Sequence, residues 1–64
     1  MLGNLKKIRI ENGFTLKELS KRTNISTTYL NDLENLNRKN PSYQIMDQLT
    51  KVLNTTIEEL EGKY

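Results

Sequence analysis

Neither histidine nor cysteine occurs anywhere in the 64 residues. That removes the side chains that most often serve as general base, thiolate nucleophile or zinc ligand. Carboxylates remain, but Glu58 and Glu59 are adjacent and do not face one another on a helix. They suit the first turn of a helix, where the macrodipole favours negative charge, better than an acid–base pair. Gly3, Gly13 and Gly62 are scattered and build no phosphate-cradling loop. No catalytic residue, metal ligand, cofactor or small-molecule substrate is expected, and the chain does not read as an enzyme. What remains is the chemistry of hydroxyls and amides. Thr27, Thr28 and Asn31 are interleaved with Leu30 and Leu33, so on a helix they share the face opposite the leucines. A threonine can hydrogen-bond a base edge or touch a thymine methyl, and an asparagine can pair bidentately with adenine.

The elements that would hold those residues are written around them. Thr15-Leu16-Lys17-Glu18 is a capping-box sequence, in which the Thr hydroxyl takes the Glu amide and the Glu carboxylate reaches back to the Thr amide. Leu19 supplies the apolar position of that helix, and Ser20 is small enough for a second helix to approach. Asn24 stands at the break, where a left-handed backbone is needed and asparagine tolerates it. Ile25 is expected to be buried, and Ser26 to cap the next helix. Two short helices at a sharp turn, the second presenting small polar side chains, make a helix-turn-helix over residues 15–35.

The rest of the chain supplies a core. Leu2, Leu5 and Ile8 place a first helix at about residues 2–12, ended by Gly13. Phe14 reads as a plug between the first two helices. Arg9 lies beside the Ile8 stripe, either turned inward to a carboxylate, with Glu34 the candidate, or left outside as a surface charge or phosphate contact. Residues 35–41 are a loop by composition, with Leu36 as an apolar anchor and Pro41 disfavouring helix before it. Ser42 caps a fourth helix, Tyr43 to about Leu53, with Ile45, Met46, Leu49, Val52 and Leu53 facing inward. Asn54 stops it. Thr55 or Thr56 opens a fifth helix, with Ile57 and Leu60 buried and Gly62 at its end. Such short helices do not persist alone and must stand by mutual packing.

A chain of this length forms one domain, residues 1–64, and buries only about 60% of its unfolded surface. With no disulfide to compensate, short-looped helices are the economical way to close a core. The net charge is +2, unevenly spread. Nine basic residues face five acidic ones through Leu53, whereas Glu58, Glu59 and Glu61 outnumber Lys63 in the tail. A basic body with an acidic end suits laying one face on a polyanion, although charge alone would equally describe a solvated surface. Met1-Leu2-Gly3-Asn4 opens no secretory run and nothing reads as a membrane span, so a cytoplasmic location is expected.

Several stretches together resemble the Cro/C1-type helix-turn-helix domain of phage and bacterial repressors, the XRE family. They are RIENG from Arg9, FTLKELS from Phe14, Ile25-Ser26, TYLNDLEN from Thr28, Asn40-Pro41-Ser42 and LTKVLNTTIEEL from Leu49. The resemblance implies an all-α, compact five-helix lambda-repressor-like domain, with the helix-turn-helix formed by helices 2 and 3. It also implies an Arg9–Glu34 ion pair joining the first and third helices, and a third helix over about residues 26–35 that reads an operator. Base contacts then fall on Thr27, Thr28 and Asn31. Phosphate contacts fall on Leu16, Lys17, Ser26, Tyr29, Asn37, Arg38, Lys39 and Asn40. Leu16 departs from the family, where a glutamine commonly grips phosphate, so only its backbone amide can serve. Short side chains at 27 and 28 leave room for readout of DNA shape. The expected function is sequence-specific double-stranded DNA binding by a transcriptional regulator, a repressor. One domain reads few base pairs, so two copies, as a homodimer through the fourth and fifth helices, would occupy a palindrome or repeat. The alternative is an antitoxin- or adaptor-like protein-interaction module on the same scaffold, since helix-turn-helix pairs also serve as packing units.

Overall fold

In a computed structural model, which describes residues 2–35 and 41–62, the chain forms α1 (Leu5–Glu11), α2 (Leu16–Thr23), α3 (Thr27–Glu34), α4 (Tyr43–Leu53) and α5 (Ile57–Glu61). No strand occurs among the described residues. Four of the five helices among the described residues start on a hydroxyl side chain. Thr15, Ser26, Ser42 and Thr56 each accept the backbone N–H three residues on, at 3.1 to 3.2 Å. These bonds satisfy amides that a helix start leaves without a partner. The stops are as local. Asn24 and Asn54 take left-handed backbone at φ 59° and 53°, and Gly62 does so at 80°.

The core is almost all leucine. Leu2, Leu5 and Ile8 from the N-terminal segment meet Leu19 of α2, Leu30 and Leu33 of α3, Leu49 and Leu53 of α4 and Leu60 of α5. Ile25 joins them from the α2–α3 turn. The closest-packed pair of helices is α2 with α3, and α4 backs α2. Burial of these side chains, at about 1.5–3 kcal/mol each, is the main force against chain entropy in so small a domain.

Several details differ from the sequence reading. The first helix starts at Leu5 rather than near Leu2. Leu2 is nonetheless buried, held by a turn in which its carbonyl accepts Leu5 N–H at 3.1 Å. The reason lies at the other end of the chain. The Asn4 backbone N–H donates to Leu60 O at 2.9 Å and Asn4 Nδ2 donates to Glu59 O at 3.1 Å, closing carbonyls at the end of α5. Asn4 therefore closes the end of the last helix while standing as the N-cap of the first. Asn12 is the C-cap of α1, its Nδ2 donating back to Ile8 O at 2.9 Å, and Gly13 follows at φ 77° as the left-handed stop expected there. Phe14 is half-buried: its ring packs against the core, and the Arg22 guanidinium lies over it, 4.8 Å from the centroid. Ile45, Met46, Val52 and Ile57 are likewise only half-buried, so the inward faces of α4 and α5 are narrower than their apolar content suggests.

Candidate nucleic-acid interface

The angle between α2 and α3 is fixed by a three-residue turn, Asn24-Ile25-Ser26. Asn24 N–H bonds Ser20 O at 2.8 Å while its backbone turns left-handed. Ile25 drops its side chain into the core, and Ser26 immediately caps α3. A buried hydroxyl ties these pieces together. Thr23 Oγ1 donates to Leu19 O at 2.8 Å and accepts Ile25 N–H at 3.3 Å. The sequence reading did not single out Thr23. The signal was a β-branched hydroxyl in the last turn of a helix, where it can bond the carbonyl four residues back.

At the other end of the α2–α3 unit, Arg9 is buried and the Glu34 side chain is 3% exposed. Arg9 Nε donates to Glu34 Oε2 at 2.5 Å and Nη2 to Oε1 at 3.2 Å. Its Nη1 donates to Phe14 O at 2.7 Å. The guanidinium thus spends its fork on the carboxylate and its third edge on the loop before α2, which binds α1, that loop and α3 into one frame. Of the alternatives for Arg9, the inward pair with Glu34 is the one found.

With α3 so held, Leu30 and Leu33 face the core and Thr27, Thr28 and Asn31 share an exposed face. Ser26 and Lys17 are exposed as well. Asn31 Oδ1 accepts a hydrogen bond from Asn35 Nδ2 at 3.3 Å, one helical turn on, a pairing that the sequence reading missed although its i, i+4 spacing was visible. Tyr29 is half-buried with its ring against the core, and Leu16, the first residue of α2, packs its side chain inward. Glu18 is committed to the cap: its Oε1 accepts Thr15 N–H at 3.0 Å. That backbone bond, then the Thr15 side-chain bond, then the charges of Arg22 and Lys21 hold the Glu18 carboxyl below the ordinary glutamate value. Asn37, Arg38, Lys39 and Asn40, expected at phosphates, and Leu36, expected as the loop anchor, lie outside the described residues.

A family model described as helix-turn-helix matches residues 5–60, from the start of α1 into α5. The chain belongs to the Cro/C1-type helix-turn-helix family. Among individual helix-turn-helix proteins it is similar to the HTH-type transcriptional regulator SinR of Bacillus subtilis (strain 168), with 31% identity over 61 residues. SinR of Bacillus licheniformis is similar to the same degree. The match takes in 94% of this chain and 55% of each relative, so the chain spans about half the length of the curated relatives it matches. No solved structure matches. Among the described residues no helix of this family member is long and apolar enough to cross a membrane.

Proposed function

We propose that this chain is a sequence-specific double-stranded DNA-binding transcriptional regulator, a repressor, that reads the major groove with α3. The observation that carries the reading is the open polar face of Thr27, Thr28 and Asn31, on a helix held by the Thr23-braced turn at one end and the Arg9–Glu34 pair at the other. A recognition helix enters the groove by its N-terminal residues, which are the ones exposed there. Lys17, Ser26, Tyr29, the Leu16 backbone amide and the segment from Asn37 to Asn40 supply phosphate contacts, which set register without reading sequence. Two copies occupy an operator with repeated or palindromic half-sites, as a homodimer on DNA. Membership of a family that includes regulators named as transcriptional supports the same reading.

Selection of binding sites from random duplexes, followed by titration of a selected duplex at rising salt, tests it. Neutralising about 4–6 phosphates makes log K fall with log salt at a slope of roughly −4 to −5. Thr28→Ala costs about 1–3 kcal/mol at a single base pair if that side chain reads a base. An equal loss on all duplexes makes Thr28 a backbone contact. Failure to enrich any duplex favours the rival class, a protein-interaction module using the same face.

A further inference from the structure

The hydrogen bond between Asn31 and Asn35 has a direction. Asn35 Nδ2 is the donor and Asn31 Oδ1 the acceptor, both residues being exposed on α3 and its C-cap. A carboxamide carries its oxygen and its nitrogen on diverging bonds, so holding the oxygen toward Asn35 leaves the Nδ2 hydrogens as the end of the amide turned away from Asn35. Without a fixed neighbour the amide can turn over and exchange its donor and acceptor ends, and it then carries little information about the base it meets.

We propose that Asn35 is a positioning residue that sets which end of the Asn31 amide meets the base pair, and thereby makes Asn31 a reader of acceptor edges. The proposal rests on α3 being the base-reading helix. Guanine offers two acceptors in the major groove, N7 and O6, whereas cytosine offers only the N4 donor. A donor-presenting Asn31 therefore ranks guanine above cytosine at its position. Adenine, with one acceptor and one donor, is accommodated by either amide orientation. The choice that Asn35 controls is between guanine and cytosine on the strand that Asn31 faces.

Substitution at 35 reverses the amide in a foreseeable way. In Asn35→Asp the side chain can only accept, so Asn31 Nδ2 turns toward the carboxylate and Oδ1 swings out to the base, where it matches the cytosine amino group. The new carboxylate also repels phosphates and weakens binding to every duplex; the guanine-to-cytosine affinity ratio at one position is free of that effect. Asn35→Ala removes the bias without reversing it.

The experiment measures affinities of the wild type, Asn31→Ala, Asn35→Ala and Asn35→Asp for a selected duplex and its single-base-pair variants, with thermal melts confirming that all four chains fold. Asn31→Ala flattens the preference at one position and so locates the base pair. At that position Asn35→Ala lowers the guanine-to-cytosine ratio about twofold, the scale of an exposed i, i+4 side-chain pair. Asn35→Asp moves the ratio about tenfold toward cytosine, because a charge-assisted bond holds the reversed amide harder. If Asn31→Ala flattens a position but both Asn35 variants leave its ratio unchanged, the positioning role is overturned and the base-reading helix stands. If Asn31→Ala flattens no position, or no duplex is selected, α3 does not read bases through Asn31 and the proposal falls with its premise.

Discussion

Arg9 and Glu34 show what a single pair of residues can decide in a domain of 64 residues, whose whole stability is on the order of 3–10 kcal/mol. Both charges sit nearly out of water, so each is tolerable only because the other is there. Glu34→Ala strands the guanidinium and costs about 3–5 kcal/mol, enough to leave much of the chain unfolded at 37 °C. The paired change Arg9→Met with Glu34→Leu removes both charges and melts well above the single variant, because well-packed apolar residues replace a buried ion pair at little net cost. Circular-dichroism melts of the three chains separate the two outcomes; equal damage from single and paired changes would mean that packing, not charge, dominates there. Thr55 is the opposite case. Its Oγ1 is buried without a hydrogen-bond partner among the described residues, while the neighbouring Thr56 caps α5. Thr55→Val keeps the shape and discards the unsatisfied hydroxyl, so it raises the melting midpoint, by about 1 kcal/mol of stability. A lower midpoint would show that the hydroxyl finds a partner in solution.

At the level of the helix, the capping box at Thr15 and Glu18 converts pH into stability. Glu18 is held below its ordinary value by the bonds to Thr15 and by the charges of Arg22 and Lys21, so it binds its proton more weakly folded than unfolded. The sign follows. Its contribution is complete above the unfolded carboxylate range and is lost as pH falls through the lowered folded value. Wild type is therefore the more stable chain near neutrality when compared with Glu18→Gln, and the gap closes in acid; a gap independent of pH would assign the effect to geometry alone. The box was legible in the sequence because everything it needs lies within three residues. The same is true of Ser26, Ser42, Asn24 and Asn54, each a terminus written in one or two side chains. Asn4 was not legible, because the helix it caps lies 55 residues away and no local pattern announces that partner. Arg9–Glu34 spans 25 residues and was legible only as a candidate, because Arg9 stands beside an apolar stripe; the family likeness implied the same pair. For the site, the exposed trio on α3 followed from periodicity. The side-chain bonds of Thr23 and Asn35 did not, since spacing shows which residues can meet and not which way a hydroxyl or an amide turns.

At the scale of the whole molecule, the chain is a carrier for one polar face, with the start of its first helix fastened to its last. Leu2 is buried against the core and Asn4 closes the end of α5, so α5 is held from the side opposite to its own capping residue. No side chain in that carrier has an ordinary value near neutrality. The sequence holds no histidine, and the carboxyl whose value is displaced, Glu18, is displaced downward and away from neutrality. Carboxylic acids, lysines and arginines as residue types have ordinary values that lie outside about pH 6 to 8. DNA phosphate diesters do not titrate there either. Affinity for a selected duplex is accordingly flat across that window at fixed ionic strength, even while it falls steeply with salt. Fluorescence anisotropy in a set of buffers matched for ionic strength checks it. A midpoint inside the window would show that a titrating group is coupled to binding, and the first place to look would be a carboxylate brought against phosphate.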